Sequence, residues 1–273
     1  MKVEQAKQIA SKAIEQLTQA LEAGHSEKLR EHLAAMARFH RYSLHNIMLI
    51  ASQKPDASHV AGFHAWHQLG RFVKKGEKGI LILAPIIRRK PENNNENEAD
   101  ESSTTVGFRA AYVFDISQTD GQELPEIGSV NGDPHEYRER LGALVAEQGI
   151  VLEYSQDIAP ARSTSAGGKI TLLPGQSAGE EFATLAHEVA HEMMHRDERR
   201  SSTMKRVRET EAEAVAFVVC SAIGLETGTA AQDYIGLYGG DAKLLNESLE
   251  YVQRTATHIL SAIGADGASA PPA

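Results

Sequence analysis

Ala183-Thr184-Leu185-Ala186-His187-Glu188-Val189-Ala190-His191 is the stretch on which the reading of this chain turns. It lies in a run from about Ser177 through Phe182, Leu185, Ala186, Val189, Ala190 and Met193, whose apolar residues recur at helical spacing. Histidines four apart share one helix face, so both imidazoles reach a single ion. The glutamate after the first histidine stands beside a water held on such an ion. The apolar stripe around the histidines turns that face inward rather than toward solvent. With twelve histidines in 273 residues, chance alone produces this spacing in roughly a few per cent of chains. The rest of the sequence therefore has to supply the context.

Zinc in a catalytic site needs three protein ligands and an open position. A pattern with a third histidine six residues past His191 fails, because position 197 is Asp, and His195 is expected to orient or pack rather than ligate. Eighteen residues beyond His191 begins Glu209-Thr210-Glu211-Ala212-Glu213. Glu209 and Glu213 are one turn apart on a common face, whereas Glu211 points about 200° away from Glu209. This resembles the glutamate zincins, in which one carboxylate binds zinc and a second orients a ligand histidine. The expected site is thus a Zn2+ ion held by His187, His191 and Glu209, with Glu213 behind them and in reserve as a ligand. Glu188 is the expected proton acceptor. Peptide hydrolysis is the default chemistry of such a site, with the strand-like Lys169 to Leu173 preceding the helix as a zincin's edge strand does.

Around that core the sequence divides into an α+β chain of two domains, residues 1–130 and 131–265, with a disordered tail at 266–273. Ile9, Ala13, Ile14, Leu17 and Leu21, then Leu29, Leu33, Met36, Ala37 and Leu44, mark helices. A helix-sized stretch at Gly62 to Leu69 leads into a Lys-rich turn, a strand at Ile80 to Ile87 and a second at Gly107 to Asp115. Residues 90–104 are acidic and asparagine-rich, nearly devoid of apolar side chains, and are expected to form a flexible loop between those strands. Residues 117–133 read as a linker. Helices are expected at about 134–148, from 177 and over 208–223, with strands at 150–154 and 169–173.

Charge is segregated. Residues 1–90 hold 15 Lys and Arg against 7 Asp and Glu, so a chain of net charge −9 carries +8 in its first third. Such asymmetry is expected where one part meets a polyanion. No apolar run is long enough to span a bilayer. The amphipathic N-terminus does not read as a signal peptide, which points to the cytoplasm. The single cysteine, Cys220, excludes an internal disulfide framework and a cysteine-based zinc finger.

Ser43-Leu44-His45-Asn46, Leu49-Ile50, Pro55-Asp56-Ala57, Val60-Ala61-Gly62-Phe63, Trp66, Leu69-Gly70-Arg71 and Val73-Lys74-Lys75-Gly76-Glu77-Lys78-Gly79-Ile80 resemble the N-terminal domain of the ArdC-type antirestriction proteins. Tyr112-Val113-Phe114-Asp115, Gln118-Thr119 and the His187 and Glu209 helices extend the similarity over nearly the whole chain. The acidic loop and the tail fall outside it. The resemblance implies a helical and β-hairpin domain that binds single-stranded DNA with little sequence preference, followed by a zincin-like metallopeptidase domain acting on an unknown protein substrate. It further implies a role in protecting incoming mobile-element DNA from restriction. On the residues themselves, Arg71, Lys74, Lys75 and Lys78 are candidate phosphate ligands. Trp66, Phe63 or Phe72 is a candidate base-stacking ring. The competing reading keeps DNA binding and makes the zinc half a structural module without turnover.

Overall fold

The structure is a computed structural model that describes residues 2–89, 103–122, 134–225 and 242–265. Its first fifty residues form α1 (Lys2–Glu22), α2 (Ser26–Arg38) and α3 (Leu44–Gln53). Ala6, Ala10, Ala13, Ile14, Leu17 and Leu21 are the buried face of α1, three and four residues apart, as an amphipathic helix requires. Gly24, at φ +84, turns the chain out of α1. Ser43 caps α3, its hydroxyl accepting from Asn46 N–H.

Next come β1 (Val60–Gly62), α4 (Phe63–Gln68), β2 (Arg71–Val73), β3 (Ile80–Arg89), β4 (Ser103–Asp115) and β5 (Thr119–Gly121). Two antiparallel sheets result, one ordered β1-β4-β3 and one pairing β2 with β5. Ile80, Ile82, Ala84 and Val113 face the core. Strand β3 is an edge strand braced by α3: Asn46 donates to Leu83 O and accepts from Leu83 N–H, both at 2.9 Å. Gln53 bridges Leu81 in the same two-way fashion. The backbone groups of an edge are thereby satisfied by side-chain amides.

The second part holds α5 (Glu136–Glu147), β6 (Val151–Tyr154), β7 (Ser163–Ser165), β8 (Lys169–Leu172), α6 (Ala178–Met194), α7 (Asp197–Ser202), α8 (Lys205–Ala222) and α9 (Ala242–Ala262). Strand β8 is central, parallel to β6 and antiparallel to β7. Glu181 ties the layers together by accepting from Arg138 and from the Tyr154 hydroxyl, at 2.7 Å each. Helix α9 packs on α1, α3, α5, α6 and α8, and α2 packs on α8, so one continuous core runs through both parts.

The α+β expectation holds, with four differences of detail. Lys169 to Leu172 is the middle strand of its sheet, not the edge; β7, a short serine-rich segment with little strand propensity, takes the edge. Residues 103 and 104, expected in the acidic loop, already belong to β4, and residues 119–121 of the expected linker form β5, because each finds a partner strand. Helix α9 was not among the expected elements, although Leu245, Leu249, Val252, Ala256 and Ile259 repeat at helical spacing. The acidic loop at 90–102, the domain boundary near 130 and the tail at 266–273 lie outside the described residues. Among the described residues, no helix is long and apolar enough to cross a membrane.

Asp115, at the end of β4, is the buried node of the N-terminal part. Its carboxylate accepts from the backbone N–H groups of Ser58 (2.8 Å), His59 (3.1 Å) and Ser117 (3.0 Å) and from the Ser117 hydroxyl. Burial opposes its ionisation, but those four donors outweigh it and hold the carboxyl below its ordinary 3.8. A group depressed in the folded state contributes stability in full above the ordinary value and loses it as pH falls through the lower, folded one. Asp115→Ala should therefore destabilise the chain by about 2–4 kcal/mol at pH 7. In denaturant melts at pH 7, 4 and 3, the wild type should lose stability along an acid limb that is shallower in the Asp115→Asn variant.

Candidate functional site

Helix α6 starts with a capping box: Ser177 Oγ accepts from Glu180 N–H while Glu180 accepts from Ser177 N–H. That fixed start places His187 and His191 on the side of α6 that packs on α8. Their Nε2 atoms stand 3.1 Å apart, and Glu209 Oε2, from the first turns of α8, lies 3.6 Å from His187 Nε2 and 3.4 Å from His191 Nε2. Among the described residues, these three form the cluster whose ligand atoms all converge closely enough to hold an ion. Tetrahedral coordination with bonds of 2.0–2.1 Å has an edge of about 3.4 Å between ligand atoms. Two imidazoles and a carboxylate are moreover the donor set that suits zinc and neighbouring divalent metals. The residues fit such an ion.

Electrostatics agree. Burial disfavours a charged His187, but its hydrogen bonds to Glu209 and Glu213 and the charge of Glu188 prevail and raise its imidazole to about 9. The hydrogen bond from His187, first among its imidazole neighbours, holds the Glu209 carboxyl far below its usual range. The cluster thus stores a proton that an entering cation displaces. Glu213, expected behind the ligands, lies there, with Oε2 3.4 Å from His187 Nδ1. Glu188 is buried and accepts from the Ser163 hydroxyl of edge strand β7 at 2.5 Å. Glu192, one turn on, accepts from Gly168 N–H and so fastens the β7–β8 turn to α6.

Sequence reasoning gave His195 an orienting or packing role but missed its partners. His195 Nδ1 is 3.1 Å from His191 Nδ1, and His195 Nε2 is 2.8 Å from Glu211 Oε2. Glu211 also accepts from Arg199 Nη2 at 2.9 and 3.0 Å and from Ser248 of α9. Arg199 stacks over the Tyr251 ring at 4.0 Å. Glu211 does point away from the Glu209 face, as its helical phase requires, but it points into this network.

The N-terminal candidates divide into two groups. Trp66 is 1% exposed and its indole N–H donates to Phe114 O, so it is a core residue and offers no stacking face. Arg71 is committed to the second sheet: Nε donates to Thr119 Oγ1, Nη2 to Thr119 O and Nη1 to Gln122 O. Lys74 donates to Ser117 O and lies 3.5 Å from Asp120. Lys75 and Lys78 are exposed. The turn that presents them is held by Gln118, which donates to Glu77 Oε2 and Lys78 O at 2.9 Å each. A Cβ at Gly79 would come within 2.9 Å of Tyr112 Cβ, so the bareness of this residue seats Tyr112 against the strand. Tyr112 and Phe108, two residues of one β4 face, are 44% and 56% exposed; Phe63 packs edge-on to Phe114 of the same face and is 55% exposed. The alternation Phe108, Ala110, Tyr112, Phe114 was the legible sign of this aromatic face.

Residues 4–114 match the family model of the N-terminal domain of anti-restriction factor ArdC. An uncharacterised protein of Bacillus anthracis, pXO2-81, is 25% identical, over 95% of this chain and 51% of that protein; the chain spans about half the length of this curated relative. The crystal structure of metal-free antirestriction protein ArdC from plasmid R388 matches with a TM-score of 0.55 at 21% identity, covering 94% of this chain and 98% of that one. Its Mn(II)-bound crystal structure matches over 81% and 89% with a TM-score of 0.46. Residues 4–114 thus match the ArdC N-terminal domain, and the chain shares the fold of ArdC.

Replacing His187, His191 or Glu209 by Ala should abolish uptake of one divalent ion per chain, read by elemental analysis after dialysis against zinc. Glu213→Gln should weaken that uptake about 10- to 100-fold without abolishing it.

Proposed function

We propose that this chain is an ArdC-type antirestriction protein that holds single-stranded DNA on its N-terminal domain and hydrolyses peptide bonds at a zinc centre made by α6 and α8. The observation that carries the reading is the triangle of His187, His191 and Glu209, whose edges match tetrahedral coordination. A bound zinc ion supplies Lewis acidity, lowering the pKa of a water toward neutrality and polarising a carbonyl. Around it the chain's own groups divide the work. Glu213 steadies the His187 ring through Nδ1. Ser163 holds one Glu188 oxygen, which leaves the other to take the proton of the attacking water and pass it to the leaving amine. Strand β7, beside α6 at the free edge of its sheet, offers backbone groups for pairing with an extended peptide.

The nucleic-acid side rests on exposed Lys75 and Lys78, the latter one residue from Gly79 and so next to the aromatic face of Tyr112 and Phe108. Cations meeting phosphates next to rings that stack on any base give binding that is salt-sensitive and tolerant of sequence. These residues replace Trp66 and Arg71 as the groups that would touch DNA.

Two sets of variants in the full chain test the reading. Glu188→Gln should keep its zinc and lose cleavage of an unstructured protein substrate by at least 100-fold; equal cleavage would overturn the catalytic half. Lys75→Ala with Lys78→Ala should make the log–log salt dependence of oligonucleotide binding shallower by roughly 1.4, and Tyr112→Ala should weaken binding by about 1–3 kcal/mol. Unchanged affinity in both would remove the DNA half.

A further inference from the structure

Behind the metal triangle runs a buried row, His191, His195, Glu211 and Arg199, that the chemistry above leaves without a task. Hydrogen-bond inventory fixes where its protons sit. Glu211 accepts from Arg199 and Ser248, and as a carboxylate it donates nothing. His195 Nε2, 2.8 Å from Glu211 Oε2, must therefore carry its proton. Among the described residues, the one carboxylate in contact with His195 already answers the Arg199 cation, so a second positive charge on His195, which is 1% exposed, would stand unbalanced. A neutral imidazole carries one N–H. His195 Nδ1 is therefore a lone pair, and His191 Nδ1, 3.1 Å away, must be the donor to it. A neutral His191 then keeps a lone pair on Nε2, the atom 3.1 Å from His187 Nε2, whose ring N–H can donate to it.

We propose that Glu211 and His195, steadied by Arg199, are positioning residues that set the tautomer of His191 through two successive rings, so that His191 Nε2 is held open as a ligand atom. A carboxylate commonly orients a metal-bound histidine directly; here the orienting carboxylate acts one imidazole further back. Arg199 also donates to Met194 O and stacks on Tyr251 of α9, so the row is anchored at both the end of α6 and the face of α9. The inference rests on the metal reading for its purpose, though not for its proton assignments.

The test uses the full-length chain, 15N-labelled and stripped of metal, with long-range 1H–15N spectra that distinguish protonated from bare ring nitrogens. Expected are Nδ1–H with bare Nε2 on His191, and Nε2–H with bare Nδ1 on His195; the opposite tautomer on His191 would overturn the proposal. In Glu211→Gln the amide nitrogen can donate toward His195 and reverse both rings. Zinc affinity, measured by competition with a chromophoric chelator, should then fall 10- to 100-fold in a variant whose melting curve stays cooperative. An affinity within twofold of wild type would also overturn it. Should that variant not fold, the wild-type spectra decide alone. A wild type that takes up no zinc would sink the metal reading while the same spectra still judge the tautomer assignment.

Discussion

The packing of α6 on α8 is the constraint on which the rest depends. Neither helix alone can bind an ion firmly: α6 brings two imidazoles, α8 one carboxylate, and only their contact makes a triangle of ligand atoms 3.1–3.6 Å on an edge. That geometry requires the register between the helices to be held to a fraction of a turn, because one residue of slip rotates Glu209 by about 100°. The capping box at Ser177 fixes where α6 begins, and the buried alanines at 186, 190, 212, 214 and 216 sit on helices that approach closely. The polar row through His195, Glu211 and Arg199 adds a directional link between the same two helices where apolar packing alone would tolerate sliding.

The candidate ligand triangle was legible because its information is local. A four-residue spacing is a face of a helix, and Glu209 and Glu213 declare their phase in the same way. What escaped reading was relational. Glu211 looks like the wrong-facing member of an acidic triplet until the fold brings His195 to it, and Ser163 has no mark at all until β7 lies beside α6. Trp66 illustrates the opposite error: an aromatic near lysines suggests a stacking ring, but the β4 carbonyl that satisfies its indole N–H comes from 48 residues away. Helix α9 was readable from its apolar period and was passed over for want of a motif.

The two parts of the chain are joined by more than sequence. Helix α9, from the end of the described chain, packs on α1 and α3 as well as on α6 and α8, and Gln253 on it donates to His40 O and Tyr42 O between α2 and α3. Residues far from either candidate surface therefore bear on both. Tyr251 belongs to the same helix and lies against Arg199, so one element touches the N-terminal helices and the network behind the metal triangle.

Asn46 and Gln53 have a consequence beyond bracing. A bare strand border is a template on which another copy can nucleate cross-chain ladders, and proteins that accumulate in a crowded cell keep such borders blocked. By occupying both the donor and the acceptor of Leu81 and of Leu83, two amides from a single helix act as a resident surrogate strand. The positions that look like routine helix polar residues thus leave no free backbone pair at Leu81 or Leu83 for a second copy to join.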